Sequence, residues 1–142
     1  NNNIVVINGS VLGQVRDASG QFVPGGFVAF YSPTGILVGE TATFDVGSLL
    51  LTTLDATPQS FEDFAGGGFL TLQGQPGSTA RVEIAPGARI NALAENSFFA
   101  VVAADVRMSG TARVNGSHAY VAGEVVNLRL SNGLFDISIP VG

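Results

Sequence analysis

The sequence contains no cysteine and no lysine, and only 12% of its residues are charged. Without cysteine the chain has neither disulfides nor thiolate metal sites. His118 is the single histidine, so a metal site built from histidine and cysteine is excluded as well. Six arginines are scattered among eleven carboxylates, for a formal charge of −5. No basic stripe can be drawn, which argues against binding to nucleic acid or to anionic membrane surfaces.

Long hydrophobic segments are also missing. The charge-free run over residues 21–38 is interrupted by Pro24, Pro33 and several glycines, so it predicts no membrane-spanning helix. No signal peptide is visible, and since a secreted protein carries one, we expect a processed product or an internal fragment. The length of 142 residues predicts one domain, residues 1–142.

What the sequence does contain is short apolar runs between turns. The stretch from Gly26 to Asp55 has runs of three to five residues rich in Val, Ile, Phe and Thr, broken by Gly or by Ser-Pro-Thr-Gly. Runs of this length and composition predict buried β-strands, and no helical period fits them. In the Ser-Pro-Thr-Gly turn, Pro33 fixes φ at the first corner and Gly35 permits a left-handed conformation.

Internal repetition is the second positive signal. The pattern small, polar, apolar, Asx begins at Ala42, at Ala88 and at Ala112, and the first of these steps is close to twice the second. A further, slightly shorter step places Ser97 over Ser117, and therefore Phe98 over His118. Strands and turns that repeat about every 20 residues or slightly more predict one β-solenoid coil for each repeat.

The predicted fold is therefore all-β, a right-handed parallel β-helix of roughly six coils. Right-handedness follows from the strong preference of parallel crossovers, and stacked strands about 4.8 Å apart give a rod on the order of 30 Å long. Residues 56–68 are predicted to leave the solenoid as a loop or short helix that lays Phe61 and Phe64 on its flank, with Thr57 or Ser60 as N-cap.

Two local predictions follow from the pattern. Thr52 and Thr53 interrupt an apolar run, so one of them is expected to be buried and hydrogen-bonded. Asn91 and Asn115 occupy equivalent positions of the repeat, so they are expected to lie close together in an amide ladder.

Specific motifs carry a resemblance to a known family. They are Ser32-Pro33-Thr34-Gly35-Ile36, Gly39, Phe44-Asp45, Gly47-Ser48-Leu49 and Thr52-Thr53-Leu54-Asp55. This order resembles the secretion domain of two-partner secretion exoproteins, the filamentous-haemagglutinin and high-molecular-weight-adhesin family. That family reads Asn-Pro-Asn-Gly-Ile where this chain has Ser32 to Ile36. Segments after residue 97 are similar to later coils of those domains.

The resemblance implies a non-enzymatic, secreted or bacterial cell-surface module of an adhesin-like exoprotein. Its implied partner is an outer-membrane β-barrel transporter, and no cofactor or metal is expected. The residues implied in recognition or in the turn motif are Ser32, Pro33, Thr34, Gly35, Gly39, Asp45 and Gly47. The alternative for the same residues is that they only build turns.

Two other functions stay open at this point. Uncovered strands at the ends of a β-helix favour self-association, so the chain is alternatively a filament subunit that stacks end to end. Some β-helices degrade polysaccharides, but that chemistry needs two carboxyl groups across a groove. The acidic residues are dispersed along the chain, at Asp45, Glu62-Asp63, Asp105, Glu124 and Asp136, which favours solvated turn charges over a catalytic pair. Gly66-Gly67-Gly68 lacks the residues of a phosphate loop.

Overall fold

A computed structural model describes residues 4–12, 14–16, 22–24, 27–56, 59, 62, 64, 70–74, 77–123, 125–131 and 134–138. Across these residues the chain is all-β. The strands are β1 (Val5–Ile7), β2 (Ser10–Leu12), β3 (Gln14–Arg16), β4 (Phe22–Pro24), β5 (Phe27–Tyr31), β6 (Ile36–Val38), β7 (Thr43–Asp45), β8 (Ser48–Thr52), β9 (Leu70–Gln73), β10 (Arg81–Ile84), β11 (Arg89–Ala103), β12 (Asp105–Met108), β13 (Thr111–Ala122), β14 (Val125–Ser131) and β15 (Leu134–Ser138).

Most strands pair in parallel, in three stacks that the chain visits in turn. The first stack is β1-β6-β10-β12, and the second is β2-β7 followed by the first halves of β11 and β13. The third is β5-β8 followed by the second halves of β11 and β13. Each circuit of the stacks is called a rung below. Because β11 continues through the register shift between Ala92 and Ser97, the second and third stacks form one curled sheet.

The strand alternation places one apolar set inside the three stacks. Its largest fully buried members are Phe44, Phe99, Ile36, Leu49, Leu51, Ile84 and Ile90. Burial of each such side chain contributes about 1.5–3 kcal/mol. These side chains come from all three stacks, so the interior is a shared core rather than three separate sheet faces.

A second core lies outside the third stack. β14 pairs antiparallel with both β9 and β15, and this small sheet covers the stack. Leu50, Phe98 and Val102 point toward it and pack with Leu72 and Val126, all at most 5% exposed. The two middle strands of the third stack, β8 and the second half of β11, are therefore buried on both faces, which explains the uninterrupted apolar runs at Leu49–Leu51 and Phe98–Ala103.

The predicted departure from the stacks near residues 56–68 is seen in part. Gln59, Glu62 and Phe64 are helical, while Phe61, Thr57 and Ser60 lie outside the described residues. Phe64 is 9% exposed and packs edge-on against Phe98, with 5.6 Å between ring centroids. The prediction that Phe64 lies against the flank is confirmed.

The predicted number of coils is wrong for the described residues. Each stack holds four strands where roughly six coils were expected. The step from Ala42 to Ala88 is correct in register, since Phe44 lies opposite Ile90. It is a single step, however, because the chain after Asp55 leaves the stack to build the outer sheet, beginning with an antiparallel bridge between Asp55 and Gln73.

Two further registers differ from the repeat alignment. Ile90 lies opposite Ala112, where the repeat alignment places Val114, and His118 lies opposite Phe99 instead of Phe98. The prediction of an amide ladder between Asn91 and Asn115 is wrong for the same reason. Asn91 faces Arg113 on one side and Asp45 on the other.

Candidate functional site

The Ser32–Gly35 turn connects β5 to β6 and has the predicted geometry. The Gly35 amide donates to the Ser32 carbonyl at 3.3 Å, and Gly35 has φ +125°. Ser32 is 4% exposed, and its hydroxyl lies 3.1 Å from the Thr34 hydroxyl. The Ser32 amide donates to the Thr52 carbonyl at 3.1 Å, which anchors the turn to β8. The turn is therefore fixed on the core side, while Pro33 remains exposed.

Gly35 is required by close packing as well as by turn geometry, and Gly39 lies at a second close approach between rungs. A Cβ on Gly35 would lie 2.9 Å from the Arg81 carbonyl oxygen of the next rung. The Gly39 amide donates to the Ile7 carbonyl at 2.9 Å, and a Cβ there would collide with the Asn8 side chain of the previous rung. Both glycines therefore let successive rungs approach at the corners.

Asp45 and Gly47 lie at the corner between the second and third stacks. The Asp45 Oδ1 accepts a hydrogen bond from Asn91 Nδ2 at 3.1 Å, and Gly47 is buried. The contact with Asn91 links two rungs through side chains, on the outer face of the second stack. In the structure these residues hold neighbouring rungs together.

The structure places the predicted site residues at three different corners of the second rung. Ser32–Gly35 lies between the third and first stacks, Gly39 between the first and second, and Asp45–Gly47 between the second and third. They do not form one cluster of side chains. Of the three segments, the first lies beside a groove.

This groove has a volume of about 540 Å³ and runs along the outer face of the first stack. Pro33, Thr34 and Leu37 line one side, and the segment 78–81 lines the other together with Glu83. Its surface combines apolar side chains with hydroxyl groups, the Arg81 guanidinium and the Glu83 carboxylate. Such a lining suits an extended peptide better than a small charged metabolite, since these two charged groups are already paired with each other at 3.6 Å.

Arg81 and Glu83 belong to a row of four charged side chains on β10 and β12, called the charged rim below, which continues past the groove to Asp105 and Arg107. Asp105 accepts from Arg81 Nε at 2.7 Å and lies 3.7 Å from Arg107 Nε, while Glu83 lies 3.6 Å from Arg81. The hydrogen bond from Arg81 to Asp105 raises the pKa of Arg81 above its ordinary value. All four side chains are between 39% and 58% exposed, so water screens their contribution to stability.

The described residues contain no group of three or more His, Asp or Glu side chains that could hold a metal ion. His118 is exposed, and its Nδ1 lies 3.2 Å from the Tyr120 hydroxyl. The carboxylates nearest the groove, Glu83 and Asp105, are each ion-paired with Arg81. No described helix is long and apolar enough to cross a bilayer.

Both tyrosines have perturbed ionisation. Burial raises the pKa of Tyr120, which packs edge-on against Phe99. Burial, and then the negative charge of Asp55, raise the pKa of Tyr31. The folded protein therefore favours the neutral form of each phenol.

Comparison with protein-family models and with characterised proteins gives no match to this chain. The resemblance to two-partner secretion domains therefore rests on the sequence motifs between Ser32 and Asp55.

The sequence analysis did not predict the groove or its charged rim. A signal for the rim was present, since Arg81-Val-Glu83 and Asp105-Val-Arg107 alternate charged and apolar residues with opposite signs. Parallel pairing of the two segments places Arg81 opposite Asp105 and Glu83 opposite Arg107. Oppositely charged side chains in adjacent strands stabilise that register.

Proposed function

We propose that the chain is a non-enzymatic β-helix module of an adhesin-like exoprotein, exported to the bacterial cell surface by two-partner secretion. The three stacks of parallel strands support a β-helix, and the general preference of parallel crossovers makes it right-handed. The outer sheet of β9, β14 and β15 then forms a covering element outside the helix.

The observation that carries the proposal is the position of the Ser32–Gly35 turn beside the groove. The turn is the segment whose sequence resembles the family motif, and it presents the exposed Pro33 next to Thr34 and Leu37. An extended segment of the transporter would lie along this groove, with apolar contacts to Pro33 and Leu37 and polar contacts at the rim. Recognition would then need the turn to be formed, which couples binding to the fold of the second rung.

The arrangement of the core supports a role of folding in export. Ile36, Val38 and Phe44 of the second rung are at most 1% exposed because strands of the first and third rungs lie on either side of them. A rung that has just emerged therefore buries its apolar side chains when the next rung stacks on it. Stepwise burial of this kind would pull the chain outward through the transporter.

The test is secretion from a bacterial host that produces the chain behind a signal peptide, with and without an outer-membrane transporter of the two-partner secretion type. Immunoblots of medium and periplasm measure the exported fraction. Pro33→Ala and Leu37→Asn change the groove, and Pro86→Ala changes a second Pro-Gly turn, at residues 85–88, outside the proposed surface. Circular dichroism of each purified variant checks its fold.

Export that requires the transporter and falls in the two groove variants, but not in Pro86→Ala, supports the proposal. Export that is the same without the transporter contradicts it. Export that depends on the transporter but is unchanged in both groove variants would mean that the groove is not the surface that the transporter recognises.

A further inference from the structure

Among the described residues no strand pairs with the outer edge of β1, the first strand of the first rung, and this edge carries apolar side chains. The Val5 amide donates to the Gly35 carbonyl at 3.1 Å, and the Gly39 amide donates to the Ile7 carbonyl at 2.9 Å. Because hydrogen bonding alternates along a parallel strand, the N–H and C=O of Val6 point away from β6. Val5 and Val6 are 43% and 55% exposed.

In the fourth rung, the outer edge of β12 likewise has no pairing strand within the described part of the chain. The Asp105 amide donates to the Ala80 carbonyl at 3.2 Å, and the Ser109 amide donates to the Ile84 carbonyl at 2.9 Å. The same alternation directs the N–H groups of Val106 and Met108 away from β10. Both side chains are only partly buried, although they belong to columns that are buried in the second and third rungs.

The two edges match in register and in side-chain character. Within the molecule the inner columns of the first stack run Val5–Ile36–Val82–Val106 and Ile7–Val38–Ile84–Met108. In the third stack, Phe30 and Tyr120 are the first and last members of one column, with Leu51 and Val101 between them. Side chains of the kind found on β1 would therefore continue these columns if another rung were added to β12 in the same register.

We propose that a second copy of this chain docks head to tail, with its β1 edge on the β12 edge of the first copy. Val5 and Ile7 of the added copy cover Val106 and Met108, and its Phe30 packs against Tyr120. The strands of the first rung, Val5–Ile7 and Ser10–Leu12, carry no charge, so they place no like charge against β12. The contact uses two different surfaces and leaves both outer edges free, so repeated addition gives a filament.

The proposal does not rest on the secretion function, and its test needs no transporter. Light scattering over a concentration series and electron microscopy of the full chain measure assembly directly. Since each copy carries a net charge of −5, assembly is expected to strengthen as salt screens the repulsion. A chain that remains monomeric over the whole concentration and salt series overturns the proposal.

Val6→Pro removes the outward N–H without breaking a hydrogen bond to β6, and Val6→Ala is the matched control that keeps the N–H. Loss of one backbone hydrogen bond is expected to raise the concentration needed for assembly by about tenfold in Val6→Pro. The alanine variant is expected to assemble like the wild type. Assembly that is unchanged in Val6→Pro places the contact elsewhere and overturns the proposal.

A disulfide test keeps the proposal falsifiable if the proline variant fails to fold. Val6, Leu37, Glu83 and Arg107 form one outer column, so the proposal places Val6 of one copy next to Arg107 of another. A mixture of Val6→Cys and Arg107→Cys chains is expected to form mixed dimers on mild oxidation, because the wild-type chain has no cysteine. The control mixture replaces Val6→Cys with Ile137→Cys, an exposed position on β15. Equal dimer yields in the two mixtures overturn the proposal.

Discussion

Alanine at Gly35 should destabilise the protein far more than alanine at Gly77, although both glycines have positive φ. Gly35 has φ +125°, and an added Cβ would lie 2.9 Å from the Arg81 carbonyl oxygen, which is backbone and cannot swing aside. Gly77 has φ +77°, and a Cβ added there would meet nothing within 4 Å. Both substitutions therefore carry a backbone penalty, which is larger at φ +125° because that value lies well outside the left-handed helical region, and only Gly35→Ala adds a steric clash.

The expected magnitudes follow from those two terms. Positive φ costs a non-glycine residue about 1–2 kcal/mol, and forcing a methyl group into a packed position costs about 1–3 kcal/mol more. Alanine recovers about 0.4–1 kcal/mol through the entropy of the unfolded chain. Gly35→Ala should thus lower the free energy of unfolding by about 2–4 kcal/mol, and Gly77→Ala by about 1 kcal/mol or less.

Urea denaturation followed by circular dichroism measures both values on the purified variants. The difference between the two is the informative quantity, since it reports the contact of the turn with the third rung together with the greater backbone strain at Gly35. Equal losses for Gly35→Ala and Gly77→Ala would refute the close packing of the Ser32–Gly35 turn against Arg81. The position of the turn beside the groove would then be in error too.

Leu50→Ala should lower the free energy of unfolding by about 2–5 kcal/mol in urea titrations, because Leu50 is buried between the third stack and the outer sheet. A loss below about 1 kcal/mol would mean that the outer sheet does not cover the stack. Thr52→Val should lower the free energy of unfolding by about 1–3 kcal/mol in the same assay, because valine leaves the buried Leu54 amide without an acceptor. In the wild type this amide donates to the Thr52 hydroxyl at 2.9 Å. Thr52→Ser keeps the hydroxyl and is the control. The raised pKa values of Tyr31 and Tyr120 favour the neutral phenol in the folded state, so their contribution to stability is complete below the ordinary value of 10.0 and is lost as pH rises through the folded-state pKa. The urea midpoint of the wild type should therefore fall above that pH more steeply than that of the Tyr31→Phe/Tyr120→Phe variant, and parallel curves would contradict the assignment.

Much of the strand content was predictable because short apolar runs and turn residues are local signals. The Ser-Pro-Thr-Gly turn, the Asn8-Gly9 turn and the Pro86-Gly87 turn each have a glycine with positive φ in the structure. The expected burial of Thr52 or Thr53 is also confirmed, as Thr52 is 2% exposed and hydrogen-bonded to Leu54.

Register was harder to predict, for a physical reason. Side chains alternate with a period of two, so sliding the repeat by two residues keeps every side chain on its face. The alignments of Ile90 with Val114 and with Ala112 are therefore equally consistent with the apolar pattern. At Phe98 and Phe99 both faces of the strand are buried, so no alternation was available to fix the register at all.

The outer sheet and the groove could not be predicted because they depend on long-range contacts. β9 and β14 are far apart in the sequence, yet they pair with Leu72 opposite Val126. Neither strand carries a sequence motif that identifies the strand with which it pairs. The groove forms because the segment 78–81 returns beside the Ser32–Gly35 turn. No local pattern in the sequence between the two segments predicts that they lie side by side.

Stacking of rung on rung is the claim on which both the core and the proposed recognition surface depend. Engineered cysteine pairs test it most directly, because the chain has no cysteine of its own. In the structure Asn91 lies opposite Arg113, within the reach of a disulfide, whereas Asn115 lies two residues further along the strand, about 7–8 Å away. Mass spectrometry after mild oxidation should find an intramolecular disulfide in the Asn91→Cys/Arg113→Cys variant and little in Asn91→Cys/Asn115→Cys. The reverse result, or a disulfide in neither variant, would contradict the parallel stacking of β11 and β13.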